Sequence, residues 1–362
     1  MTLYRRLLAA AIALAFAVIA LGAYVRLSDA GLGCPDWPGC YGHLLGVPDE
    51  VHEQAAANRA FPERPVETGK AWKEMVHRYF AGTLGLLILG LSLLAWRAEQ
   101  RRSQSPALPT VLLGVVVLQG ALGMWTVTLL LKPVIVTLHL LGGMTTLALL
   151  VALALRAARP VAGRPTFPTG PTIRWLAGLA LFAVFVQIGL GGWVSSNYAA
   201  LACTDFPTCQ GKWWPPTDFA HGFAMFRELG QTTHGELLPF AALTAIHWMH
   251  RLGALAATLL VGALALALWR TGAPPWRRWS LTLAATLVLQ VGLGIANVWL
   301  SLPLPLAVAH NLGAALLLTV TLTINLRLHG QRRENAFPGT VDRNSDSDFR
   351  TPGVPRGNPS AP

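Results

Sequence analysis

The chain has 362 residues, of which 53% are hydrophobic and only 12% are charged, and its formal net charge is +11. Because a soluble domain has about 25% charged residues, this composition excludes an ordinary soluble protein. The positive residues lie in short segments between apolar runs, which argues against a nucleic-acid-binding surface.

Apolar runs recur along the chain. Each has roughly the 20 residues that a helix needs to cross a hydrocarbon core of about 30 Å. They lie near residues 7–25, 75–96, 109–131, 134–155, 175–194, 237–268, 280–300 and 306–326. The sequence therefore predicts an all-α polytopic membrane protein with eight transmembrane helices.

The first run has a second interpretation. It follows Arg5 and Arg6, and a charged start before an apolar core is also typical of a secretory signal peptide. The run at 175–194 occupies the matching place in the second half of the chain. We therefore interpret the first run as a retained helix.

Arginine residues cluster in the segments that would share one side of the membrane. Such a bias marks the cytoplasmic side, so both termini are predicted to be cytoplasmic. The residues are Arg5, Arg6, Arg97, Arg101, Arg102, Arg156, Arg159, Arg164, Arg174, Arg270, Arg277, Arg278, Arg327, Arg332 and Arg333. The long segments at about 26–73 and 195–236 are then expected on the outer, periplasmic side of a bacterial inner membrane.

The two halves of the chain carry the same motifs in the same order. The segment 33–40, Gly-Cys-Pro-Asp-Trp-Pro-Gly-Cys, matches 202–209, Ala-Cys-Thr-Asp-Phe-Pro-Thr-Cys, at an offset of 169 residues (203 − 34). His139 matches His310 at an offset of 171 residues (310 − 139). These offsets predict two tandem four-helix bundles with one orientation, since each bundle has an even number of helices.

The repeat sets the expected domain boundaries. We expect the N-terminal bundle at 1–155, a cytoplasmic linker at 156–174 and the C-terminal bundle at 175–334. The segment 335–362 is polar and rich in Pro, Ser, Asp and Asn, which predicts a disordered cytoplasmic tail.

The four cysteines form two pairs in the long outer segments, Cys34 with Cys40 and Cys203 with Cys209. An oxidising outer compartment favours two local disulfides. A metal site is the alternative, although neither pair has the Cys-x-x-Cys spacing of zinc sites.

Four histidines, His77, His139, His250 and His310, lie near the outer ends of apolar runs at similar depth. One such histidine can simply be a hydrogen-bonded polar group in a membrane bundle. Two pairs at matched depth instead favour bis-imidazole ligation of haem iron between helices.

The halves differ beside their first histidine. Glu74 precedes His77 by three residues, whereas His247 precedes His250. A carboxyl group near haem can stabilise developing positive charge or move a proton, so the first half is interpreted as the reaction site. The alternative is an ion pair between Glu74 and Arg78, one helical turn away.

Together, Glu74-x-x-His77-Arg78, His250-Arg251, His139, His310 and the segment 31–38 resemble the haem A synthase family over about residues 5–330. The resemblance implies oxidation of a ring methyl group of haem O to the formyl group of haem A, for assembly of a terminal oxidase.

The resemblance also implies roles for individual residues. Haem O would lie between His77 and His139, with Glu74 as the essential acid, and His250 and His310 would ligate a haem b cofactor that passes electrons. Arg78 and Arg251 can pair with haem propionates or anchor the helices at the interface. The Cys34–Cys40 pair matches the family's outer-loop cysteines, and a redox role for it is left open.

Two other functions stay open beside the enzyme. A diheme b-type electron-transfer cytochrome would have two similar sites, and a haem transporter or chaperone would not change its ligand. The partners implied by the resemblance are a haem O synthase, an unidentified electron donor and the lipid bilayer, with no nucleic acid. Assembly into a homo-oligomer is left open.

Overall fold

The computed structural model describes residues 3–97, 105–158 and 169–336, with side chains up to residue 329. In these ranges the chain forms helices and loops, and the only β-pairing is in isolated bridges. Eight helices are long and apolar enough to cross a membrane. The predicted fold class and number of membrane helices are confirmed. Of the tail predicted at 335–362, residues 335 and 336 belong to the last helix, and residues 337–362 lie outside the described residues.

The helices are numbered in chain order. They are α1 (Leu3–Leu27), α2 (Val51–Ala60), α3 (Thr68–Ala95), α4 (Ala107–Thr128), α5 (Pro133–Ala157), α6 (Pro171–Ser196), α7 (Phe219–Gly222), α8 (Phe240–Arg270), α9 (Pro274–Trp299) and α10 (Leu304–Ala336). Helices α2 and α7 are short and lie in the two long loops. The other eight are the candidate membrane helices, with the apolar span of α10 ending at His329.

Local sequence explains where several helices begin. Pro133, Pro171 and Pro274 stand in the first turns of α5, α6 and α9, where a missing N–H costs nothing. Helix α3 begins at Thr68, whereas the apolar run predicted this helix at 75–96. The first turns were not recognised in the sequence because they are polar. Glu74 and His77 therefore lie well inside this helix, whereas the sequence pattern suggested its start.

The two halves of the chain have the same pattern of helix neighbours. In the first half α1 packs on α3 and α5, and α4 packs on both of these; in the second, α6 packs on α8 and α10, and α9 packs on both. The halves meet where α5 contacts α6 and α10, and where α1 contacts α10. One buried core includes residues of both halves, so the division into bundles at 155 and 175 stays a prediction. The cytoplasmic location of the termini also stays a prediction.

The two cysteine loops share their detailed backbone structure. Tyr41 and Gln210 both have positive φ, at 52° and 55°. Asp36 accepts the N–H of Tyr41 at 2.6 Å and of the following glycine at 2.8 Å, and Asp205 accepts those of Gln210 and the next glycine at 2.6 and 3.0 Å. The Thr208 hydroxyl and these N–H groups lower the pKa of Asp205 to about 2, so its carboxylate is charged.

Each loop is closed by a disulfide. Cys34 is bonded to Cys40 and Cys203 to Cys209, with Cα atoms 4.8 Å apart in both pairs. All four cysteines are fully buried. The predicted pairing is confirmed, and the thiolates that a metal site would need are not present in either loop.

Candidate functional site

A cavity of about 650 Å³ lies among the helices of the first half. Its wall includes His77 of α3 and His139 of α5, and it reaches Glu74. Gly191 of α6 and Asn311 of α10 also line it, so the second half contributes to the wall. This volume is in the range of cofactor and small-molecule sites.

The predicted histidines form two pairs. His77 lies within electrostatic range of His139, and His250 of His310. In His77, His139 and His310 the buried ring nitrogen Nδ1 has no hydrogen-bond partner among the described residues. Because an unsatisfied buried polar atom costs about 1–3 kcal/mol, these rings are suited to an additional ligand.

Each of the four rings lies against a glycine of a neighbouring helix. The distances from a Cβ added at the glycine to ring atom Cε1 are 3.0 Å for Gly22 and His77, 3.4 Å for Gly123 and His139, 3.2 Å for Gly191 and His250, and 3.1 Å for Gly294 and His310. Larger side chains would displace the rings. Each predicted ligand therefore occupies space that is available only because the facing helix has glycine there.

The donor set fits haem better than a bare metal ion. Within the described residues, no three His, Cys, Asp or Glu side chains come together as ligands. Two imidazoles at each site suffice for haem iron, because the macrocycle supplies the remaining nitrogen ligands. The partnerless imidazole nitrogens and the glycine contacts agree with such a group.

Glu74 is buried and makes two contacts. Its Oε1 accepts a hydrogen bond from Arg78 Nη2 at 2.6 Å, and its Oε2 accepts the backbone N–H of Cys34 at 3.0 Å. The ion pair considered in the sequence analysis is therefore present. Since Glu74 also lines the cavity, it joins the cysteine loop to the first histidine pair.

His247 occupies the corresponding place in the second half. Its Nδ1 accepts the backbone N–H of Cys203 at 3.3 Å, and Arg251 Nε lies 3.4 Å from its Nε2. Glu74 and His247 thus make the same two contacts with different side chains. The substitution was visible in the sequence, whereas the shared contacts were not.

The two predicted arginines hold the cysteine loops. Arg78 donates to the carbonyl oxygens of Asp36 at 3.1 Å and Pro38 at 3.2 Å, and also to that of Gly39. Arg251 donates to the corresponding loop, to Cys203 at 2.8 Å and to Asp205 and Thr208 at 2.7 Å. Their pairing with haem propionates stays a prediction.

Arg26, near the end of α1, is a site residue that the sequence analysis missed. It lines the cavity, its Nη2 donates to the Ser195 carbonyl at 2.6 Å, and its guanidinium lies 3.8 Å from the centre of the Tyr198 ring. Its buried Nε has no partner among the described residues. Arg26 lies at the end of α1 that is predicted to be the outer one, where an arginine runs against the positive-inside bias, and this signal would have identified it.

Comparison with known proteins places these features in a family. The profile of a family described as cytochrome oxidase assembly protein matches residues 5–322. A haem A synthase of Shewanella oneidensis is 46% identical over 314 residues, which are 86% of this chain and 92% of the relative. A haem A synthase of Caulobacter sp. strain K31 is 30% identical over 84% of this chain and 89% of the relative.

Proposed function

We propose that this chain, which belongs to the haem A synthase family of cytochrome oxidase assembly proteins, is an oxidoreductase that makes haem A from haem O for a terminal oxidase. Its eight apolar helices and its bacterial relatives make it a multi-pass protein of the inner membrane. The orientation that puts the cysteine loops on the periplasmic side is part of this proposal.

Haem O is proposed to bind as substrate in the first-half cavity, with His77 and His139 as iron ligands. The observation that carries this assignment is the cavity itself, which is lined by both histidines and has a buried, partnerless Nδ1 on each. The reaction would convert a ring methyl group to a formyl group. A methyl C–H bond needs a strong oxidant, and haem iron with oxygen supplies that chemistry.

Glu74 is proposed as the acid of this site. Its carboxylate reaches the cavity while the Arg78 guanidinium and the Cys34 N–H fix its two oxygens. A carboxylate held in this way offers a fixed negative charge beside the substrate and a place for a proton.

The second half is proposed to hold haem b through His250 and His310, with electron transfer as its chemistry. The His250 ring lies against Gly191, and Gly191 also lines the first-half cavity. Asn311, the residue after His310, lines it too. The two sites are therefore separated locally by a single layer of backbone, which supports transfer between them. A haem O synthase that delivers substrate, an electron donor and a homo-oligomer remain proposed partners.

The direct test is haem analysis. The chain is expressed in cells that make haem O but no haem A, and the extracted pigments are separated by chromatography. We expect haem A or a hydroxylated precursor. If haem O alone is recovered with folded protein, the enzyme proposal is wrong and a cytochrome or a haem carrier replaces it.

The assignment of the halves has its own test. The His250→Ala and His310→Ala variants should lose haem b from the reduced spectrum of the purified protein, while His77→Ala and His139→Ala should retain it. Unchanged haem b in the first two variants would contradict the assignment.

A further inference from the structure

The first-half cavity reaches the surface of the protein between α3 and α4. Gly82 of α3 and Gly120 of α4 both line the cavity, and both are exposed. A Cβ added at either glycine would meet nothing within 4 Å. Because both residues lie well inside helices that are apolar enough to cross a membrane, the surface at this opening is one that lipid would cover.

Contacts between α3 and α4 show where the opening begins. The Ser92 hydroxyl donates to the Pro109 carbonyl at 2.9 Å, and a Cβ at Gly85 would lie 3.7 Å from Val116 Cγ1. From the first contact to the second, both helices advance by seven residues in opposite directions (92 − 85 and 116 − 109), as antiparallel helices do. One turn farther in the same direction lie residues 82 and 120, so the two helices face each other there with glycine on both sides.

The corresponding helices of the second half have the same register. Helices α3 and α8 correspond at an offset of 173 residues (250 − 77), and α4 and α9 at an offset of 171 (294 − 123). At the positions that match Pro109 and Ser92, the Ser280 hydroxyl donates to the Ala265 carbonyl at 2.6 Å. The two helix pairs are therefore aligned alike, and a difference between them at the opening is a difference of side chains.

The side chains do differ there. Gly82 corresponds to Leu255, and Gly120 corresponds to Val291. The second half thus has a bulky apolar side chain on each helix where the first half has bare backbone. Glycine often serves close packing of membrane helices, but an added Cβ at Gly82 or Gly120 would touch no neighbour, so packing does not account for either residue.

The cavity that opens here is the one proposed for haem O. His77 and His139 line it, and each has a buried Nδ1 without a partner among the described residues, so the cavity is suited to a ligand and is more than a gap between helices. Haem O differs from haem b by a long isoprenoid chain on its ring. Because the hydrophobic effect disfavours such a chain in water, a haem O site needs an apolar place beside the ring.

We propose that the cleft at Gly82 and Gly120 holds the isoprenoid chain of haem O and lets it extend into the lipid. The ring lies inside the bundle between the two histidines, and the chain passes out between the two glycines. The second-half site, with Leu255 and Val291 in these places, is suited to haem b, which has no such chain. The inference deepens the proposed function and rests on it, because it assigns the residues by which the substrate site accepts haem O.

The experiment gives the first half the side chains of the second. Ferric haem O and haem b are titrated separately into the purified protein that carries haem b in its second half, and binding is read from the optical change on ligation. In Gly82→Leu, Gly120→Val, haem O binding should weaken by about tenfold or more, as overpacking of a filled space predicts, and haem b binding by less than about threefold. Unchanged haem O binding, or equal loss of both haems, would overturn the proposal.

Gly90→Leu, Gly114→Val is the matched control. These glycines lie on the same two helices, an added Cβ at either would meet nothing within 4 Å, and neither is on the cavity wall. This protein should bind both haems as the unchanged protein does. If it lost haem O to the same extent as Gly82→Leu, Gly120→Val, added bulk anywhere on these helices would explain the effect, and the cleft would have no special role.

The converse variant tests the same contrast in the second half. Leu255→Gly, Val291→Gly is combined with His77→Ala and His139→Ala, so that only the second half binds haem, and is expressed in cells that make haem O. The extracted pigments should contain haem O beside haem b, whereas the protein with the two histidine substitutions alone should contain haem b. Haem b alone in both proteins would contradict the role given to the two larger side chains.

Failure of the cleft and failure of the proposed function have different signatures. If the unchanged protein makes haem A while Gly82→Leu, Gly120→Val binds haem O normally, the function stands and the isoprenoid chain lies elsewhere. If the unchanged protein binds neither haem in its first half, the proposed substrate site is itself wrong.

Discussion

At the scale of single residues, Glu74 has two contacts that would suffice to explain it without catalysis. It accepts the Cys34 N–H and pairs with Arg78, and His247 makes the equivalent contacts in the second half. What the contacts do not explain is the charge. An imidazole acceptor is sufficient for the loop in the second half, and this difference supports the catalytic use proposed for the buried carboxylate in the first half. Glu74 lies on the cavity wall, where its carboxylate would be next to the proposed substrate.

Glu74→Gln and His247→Gln should therefore affect the protein differently. Both variants keep an acceptor for the cysteine N–H, so both loops should stay folded. We expect Glu74→Gln to lower haem A formation by at least about 100-fold, the usual scale for loss of an acid or base, and His247→Gln to change it by less than about threefold.

Bound haem should remain in both proteins. Haem content is read from the reduced spectrum and haem A from extracted pigments. Equal activity in the two variants would make Glu74 a purely structural residue.

At the scale of helices, the repeating unit is smaller than the half-chain. Each of the four histidine helices pairs with one glycine helix: α3 with α1, α5 with α4, α8 with α6 and α10 with α9. In each pair the ring lies over bare backbone. The sequence predicted the eight helices and singled out the four histidines as candidate ligands. Both depend on local signals, namely the length and hydropathy of a run and a polar residue isolated within it.

The partners of those histidines could not be predicted in the same way. Glycine is common in membrane helices for ordinary close packing, so Gly22 or Gly294 is not distinguishable from its neighbours until the facing helix is known. Arg78 illustrates the same limit: its spacing from Glu74 suggested the ion pair as an alternative, but its three loop carbonyls are about 40 residues away in sequence.

The helix pairs predict a sharp contrast between two glycines of α9. A Cβ at Gly294 would lie 3.1 Å from the His310 ring, whereas one at Gly292 would meet nothing within 4 Å. Gly294→Ala should therefore displace the ring and either shift the spectrum of the haem b proposed for this half or lower its content several-fold. Gly292→Ala is the matched control, with the same gain in helix propensity, and should bind haem b normally. The prediction fails if the two purified proteins have the same spectrum and haem content.

At the scale of the whole molecule, the two halves form one packed body among the described residues. The core cluster includes residues such as Leu8, Leu147, Ile188 and Leu264, which come from both halves. Thr137 of α5 and Ser196 of α6 lie with their hydroxyl oxygens 3.2 Å apart across the junction. Internal repetition indicated two similar halves, but it carries no signal for the surface on which they meet. That surface matters because Gly191, against which the His250 ring lies, also lines the first-half cavity.

A substitution at Gly192 of α6 can test whether the close packing of α6 on α5 depends on the small size of this residue. A Cβ there would lie 2.9 Å from Leu140 Cδ2 and 3.3 Å from Thr137 Cγ2, both on α5 across the junction. Gly192→Val should therefore push α6 away from α5 and lower the free energy of unfolding by about 1–3 kcal/mol, the usual cost of overpacking.

Gly178→Val on the same helix is the control, because Gly178 has open space around an added Cβ. Thermal unfolding in one detergent, followed by circular dichroism, should give a lower midpoint for Gly192→Val than for Gly178→Val. Electron transfer between the two proposed haem sites should also slow, because α6 would lie farther from α5. Two variants that melt together and transfer electrons equally fast would show that the spacing between the halves does not depend on this glycine.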